Sequence, residues 1–214
     1  MKRSTTAYRD VALIAYHLTQ AGYFVATGGG PGAMEAGNLG AWLSSYDITA
    51  IDKSIQILSQ ETDFSKHKYL QLGQEVHDAF PEGAENLAIP TWFYGHEPTN
   101  QFATYIAKYF ANSIREDILL AIATSGVIFA PGSAGTIQEI FMDAAQNHYG
   151  SFKVVSPMVF FGTTFWIDEN PVYPLIQKLS ASKQYGSLLT ISDSVQEITS
   201  YIISNAPVLY DQHH

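Results

Sequence analysis

The 214-residue sequence has no cysteine, which removes disulfides, thiolate metal sites and cysteine nucleophiles together. A reducing cytoplasm is the expected compartment. Basic residues are scarce: 11 Lys and Arg stand against 20 Asp and Glu, a formal net charge of −9. That balance argues against a general nucleic-acid-binding surface, while leaving room for a small basic pocket that takes a phosphorylated metabolite. No apolar run approaches the roughly 20 residues of a membrane span, and the N-terminal MKRSTTAYRD lacks the apolar centre of a signal peptide. Neither of two glycine-rich stretches is followed by Lys-Ser or Lys-Thr, which excludes a Walker phosphate loop. The chain has no G-x-S-x-G elbow, no motif marking a pyridoxal-phosphate lysine and no histidines at metal-ligating spacing. No metal is expected.

What is present is the composition of a folded globular chain, 46% apolar and 13% aromatic. Apolar periodicity predicts helices over 5–21, 31–45, 99–124, 172–179 and 194–204, and another ending near Tyr149. Helical spacing recurs at Ile48, Ile51, Ile55 and Leu58, and at Tyr69, Leu72, Val76 and Phe80. Short apolar runs between them read as strands: YFVAT, NLAIPTWFYG with Pro90 marking an irregular or edge position, GVIFA, PMVFFG and SLLTI. Apolar strands alternating with helices predict an α/β fold, a doubly wound Rossmann-like parallel sheet with helices on both faces, in one nucleotide-binding domain. Such a sheet usually opens with a strand, whereas a helix comes first here, so a missing N-terminal strand or a reduced sheet is expected.

Both glycine-rich stretches, TGGGPGAMEAG at 27–37 and PGSAGTIQE at 131–139, follow a predicted strand and open a predicted helix. Glycine lets a ligand approach the main chain, and the helix start offers free N–H groups with positive dipole charge. The combination favours a phosphate. Gly28, Gly29, Gly30, Gly32, Met34 and Glu35 form the first candidate cradle; Gly132, Ser133, Ala134, Gly135 and Thr136 form the second. Thr27 and Thr136 can add hydroxyl donors. GGGPGA also satisfies G-x-G-x-x-A, with Asp47 or Asp52 at the distance of a ribose-binding acid, a weak match to a dinucleotide fold. Glu139 is read on the first turn of the helix opened by Gly135 and Thr136, where the helix start favours the ionised carboxylate. An anion beside a phosphate cradle suits a substrate that develops positive charge. WFYGHEP at 92–98 groups aromatics with His96 and Glu97; a packed strand end is the favoured reading, with base stacking as the other.

At these residues the sequence resembles the lysine-decarboxylase-like family typified by the LONELY GUY phosphoribohydrolases. The family pattern PGGxGTxxE is met by Pro131, Gly132, Gly135, Thr136 and Glu139, with Ser133 in place of the second glycine. GGGPGAME resembles the family's first glycine motif. The resemblance implies hydrolysis of the N-glycosidic bond of a nucleoside 5′-monophosphate to a free base and ribose 5-phosphate, without metal or cofactor, by a homodimer or larger homo-oligomer. It implies that Glu139 is catalytic and that an Arg on the preceding helix assists. Arg115 is the candidate for that Arg, with Asn112 one turn earlier on the same face; a solvated face shared with Glu116 and Asp117 is the alternative. The related molybdenum-cofactor carriers supply a second reading, a nucleotide- or cofactor-binding protein without catalysis.

Overall fold

The computed structural model describes residues 1–92 and 98–211, which pack into two compact units, Met1–Leu119 and Leu120–His214. In the first unit, α1 (Thr6–Gln20) is capped by the Thr5 hydroxyl, which accepts from the Tyr8 N–H. It packs on α2 (Ala33–Leu43), a helix buried along nearly its whole length. Two further helices, α3 (Thr49–Leu58) and α4 (His67–Ala79), complete the long connection between β1 (Ala26–Thr27) and β2 (Leu87–Ala88). These two strands and β3 (Tyr105–Ile106) form a parallel sheet in the order β1-β2-β3, with Ala26 opposite Leu87 and Leu87 opposite Tyr105.

Two predicted elements change here. Of the predicted strand 86–95, the described part 86–92 forms a ladder over Leu87–Ala88, since Pro90 has no N–H to donate, and a bridge from Thr91 to Tyr109 prolongs the pairing; residues 93–95 lie outside the described residues. The helix predicted over 99–124 begins only at Asn112, as α5 (Asn112–Ile122). Ahead of it the chain is extended: Tyr105 donates its N–H to Asn86 O and Ala107 to Ala88 O, so β2 captures as a strand a stretch whose apolar spacing suits a helix.

The second unit carries β4 (Val127–Phe129), α6 (Ala134–Tyr149), β6 (Met158–Phe161), α7 (Val172–Ser180), β7 (Leu189–Ser192) and α8 (Val195–Ser204), with the short β5 (Val154–Val155) between α6 and β6. β4, β6 and β7 make a second parallel sheet in the order β4-β6-β7. All four residues of the middle strand β6 are buried. Phe160 packs against Phe129, Trp166 and Tyr173, with ring centroids 5.2, 5.6 and 5.2 Å away, and the Trp166 indole N–H donates to the carbonyls of Phe129 and Phe161. A π-helical turn (Phe165–Glu169) and a 3₁₀ turn (Gln184–Leu188) flank α7.

The unit closes with β8 (Val208–Leu209), antiparallel to β5, and neither strand was predicted. Gly150 ends α6 in the left-handed region at φ 59°, and the Tyr210 ring covers it so closely that a Cβ there would overlap the ring. Mixed α/β structure with parallel sheets is thus the observed class. Among the described residues the strands of each parallel sheet follow one another in a single direction, β1-β2-β3 and β4-β6-β7.

Candidate functional site

The first glycine turn leaves β1 and enters α2 through Gly32, which has φ 81° and provides no side-chain cap. Gly28, Gly29, Gly30 and Gly32 are all buried. Gly29, at φ 75°, leans on Ala88 and Pro90 of the β2 segment, where a Cβ would lie 3.0 Å from each. The turn is braced from behind. Thr27 Oγ1 accepts from the Gly29 N–H at 3.1 Å and donates to Asn38 Oδ1 at 2.6 Å, so the hydroxyl expected to serve a ligand is already engaged. Asn38 also accepts from Asn100 Nδ2 and donates to Asn86 Oδ1 and the Leu87 carbonyl. All three Asn side chains are buried, and these partners meet the need of buried amides for hydrogen bonds.

Glu35, a candidate ligand contact from sequence, is buried in a network of the fold. Both its oxygens accept from the Arg3 guanidinium, and the hydroxyls of Tyr8 and Tyr69 donate to Oε2 at 2.9 and 2.7 Å. Arg3 is buried, lies 3.2 Å from the Tyr69 ring centroid and donates to the Tyr69 carbonyl. The surrounding burial and the Glu35 carboxylate push the Tyr8 phenol well above its ordinary range, so it remains a donor. Arg3 thus makes a buried ion pair that ties the N-terminal segment to α2.

Arg115 is the cation that reaches the first turn. It is 9% exposed, and a Cβ on Gly28 would stand 2.7 Å from Arg115 Nη1 and 2.7 Å from Met34 Sδ. The absence of a side chain at Gly28 is what lets the guanidinium lie against the main chain. Arg115 Nη2 donates to Asn112 Oδ1 at 2.7 Å, as the shared face predicts, and Asn112 Nδ2 donates to Glu116 Oε1. Glu116 is buried and 3.7 Å from Arg115 Nη2, which rules out the solvated charged face.

The second glycine turn differs in kind because it is open. Gly132, Ser133 and Ala134 are exposed, and Ser133 occupies the N-cap position of α6 without a side-chain capping bond. Thr136 folds back over Gly132, where a Cβ would collide with Thr136 Oγ1, whereas Gly135 meets nothing within 4 Å. The Thr136 hydroxyl is thereby held beside the main chain of the turn. Pro131 packs on Gly162, at φ 105° just past β6, so two adjacent strand ends meet at this edge. Glu139 is half-buried and is the sixth residue of α6, one turn later than its sequence assignment. The helix-dipole argument weakens accordingly, since that field fades within the first turn.

Trp92 is 53% exposed and stacks on Phe110, with Lys108 Nζ 4.1 Å from its ring centroid, while residues 93–97 of the WFYGHEP stretch, His96 and Glu97 among them, lie outside the described residues. Asp52 pairs with Arg9, and the Asp47 carboxylate accepts from the Thr49 N–H and hydroxyl before α3. Neither stands at a strand end, as a ribose-binding acid would.

Sequence reasoning passed over the three buried Asn residues and Asp143. Their signal was a polar residue alone in an apolar stripe: Asn38 among Leu39, Ala41 and Leu43, and Asp143 beside Ile140 and Ala144. No family model matches the chain, and a search of the curated proteins gives no match. No helix of the described residues is long and apolar enough to cross a membrane.

Proposed function

We propose that the protein hydrolyses the N-glycosidic bond of a nucleoside 5′-monophosphate, in the manner of the LONELY GUY family that its two glycine motifs resemble. The observation that carries this reading is the open, uncapped turn at the start of α6, with Thr136 folded over Gly132 and Glu139 farther along the same helix. Exposed main-chain N–H groups and a hydroxyl suit the 5′-phosphate. Water adds at C1′ as the C–N bond breaks; the base leaves with the bonding electrons and is protonated, and the ribose passes through an oxocarbenium-like state. Glu139 stabilises that positive charge and accepts the water proton. Arg115, held against Gly28, supports the reading as a second anion-binding group. A doubly wound Rossmann-like fold, a homodimer and a cytoplasmic setting belong to the same proposal.

The test is incubation with AMP, GMP, CMP and UMP while free base and ribose 5-phosphate are followed. Glu139→Gln is expected to lower kcat by about 10³-fold or more while leaving nucleotide affinity within a few-fold. Tight nucleotide binding without turnover by the unmodified protein refutes the hydrolase and favours the carrier.

A further inference from the structure

Asp143, on the same helix as Glu139, is 3% exposed, and its Oδ2 has no hydrogen-bond partner among the described residues. Its other oxygen accepts from Asn147 Nδ2 at 3.3 Å, and Asn147 Oδ1 accepts from the Ser156 N–H at 2.8 Å, which ties α6 to the segment between β5 and β6. Asp143 borders a cavity of about 10 Å³ whose lining includes Thr124, Gln146, Asn147 and Ser156, with Phe152 as an apolar wall.

Folded proteins rarely leave a buried carboxyl oxygen unmatched; an ordered water or an ion usually completes it. The volume is at the lower limit for one water, and a dehydrated ion of sodium's size needs less room. The available donors are oxygens of a carboxylate, amides and hydroxyls, which suit a hard cation. No group of three His, Cys, Asp or Glu able to hold a metal occurs among the described residues, which argues against zinc and against a divalent ion needing several carboxylates. Asp143 is the one titratable residue among the described residues lining the cavity, and when ionised it carries a single charge that a single positive one would balance. Thr124 and Phe152, which line the cavity, are both exposed.

We propose that this cavity is a binding site for one small monovalent cation, held by Asp143 Oδ2 and the neighbouring side-chain oxygens. The ion fastens α6 to the start of β6 and thereby stiffens the helix that bears Glu139. Histidine and cysteine spacing, the basis for expecting no metal, is blind to such a site.

Thermal unfolding of the full chain at pH 8.5 in NaCl, LiCl, KCl or choline chloride at equal ionic strength tests the proposal. Wild type is expected to unfold about 3 °C or more higher in NaCl than in choline chloride, and the isosteric Asp143→Asn to show no such difference. A sodium-23 NMR line broadened by wild type and narrowed on adding LiCl provides a readout that does not depend on the variant folding. Equal midpoints in all four salts, a rise shared by Asp143→Asn, or an unbroadened sodium line overturns it.

Discussion

Gly40→Ala tests how closely α1 and α2 approach, and α2 is the helix that follows the first glycine turn. A Cβ at Gly40 would lie 1.9 Å from the carbonyl oxygen of Ala12 and 2.7 Å from its carbon, below the 3.0 Å that real Cβ contacts respect. The obstacle is helix backbone, which cannot swing aside, so the two helices must part by more than about 1 Å and loosen packing around the fully buried Ala12 and Leu39. Overpacking of this kind costs about 1–3 kcal/mol, and a backbone obstacle puts it at the upper end. Alanine recovers about 1 kcal/mol of helix propensity. The net expectation is a loss of about 2 kcal/mol. Gly37 is the internal control: on the same helix, its Cβ would meet only the Thr27 methyl at 3.1 Å. Gly37→Ala is expected to fall between neutral and about 1 kcal/mol stabilising. Urea unfolding of both variants against wild type gives the comparison. Gly40→Ala as stable as Gly37→Ala refutes the close approach.

Further outcomes follow from the other buried groups. Arg3→Met leaves the Glu35 carboxylate buried without its cation and is expected to cost about 3–5 kcal/mol in denaturant unfolding; a loss below about 1 kcal/mol refutes the buried pair. Burial pushes the Asp143 carboxyl up from its ordinary 3.8 to about 8. Between those values the folded chain holds a proton that the unfolded chain has lost, so this contribution is complete below the lower value and disappears as pH rises through the upper one. In choline buffers wild-type stability is expected to fall between about pH 4 and 8 by up to about 1.4 kcal/mol per unit more steeply than that of Asp143→Asn; parallel pH profiles of unfolding refute this. In Gly28→Ala the nearest atoms to the new Cβ are the side-chain ends of Arg115 and Met34, so unfolding is expected to shift by less than about 1 kcal/mol while affinity for AMP falls, as titration calorimetry can measure.

The amino-acid sequence by itself determined most of the helices and the two glycine turns between strand and helix. Those features depend on residues close along the chain: apolar spacing at 3.6 residues per turn, caps such as Ser194, and glycine where a side chain does not fit. The face shared by Asn112 and Arg115 was legible for the same reason. Tertiary structure alone decided what depends on distant partners. Tyr105–Ile106 became a strand because β2 offered it a ladder, and Val154–Val155 and Val208–Leu209 formed strands only by pairing with each other. Glu35 was absorbed by Arg3, 32 residues away, and Arg115 was brought onto Gly28 instead of into solvent. The Asp143 oxygen stands out because the fold encloses a carboxylate oxygen without a hydrogen-bond partner among the described residues. Local periodicity encodes which residues turn inward, but a charge's role depends on what burial removes and what a remote segment supplies in its place.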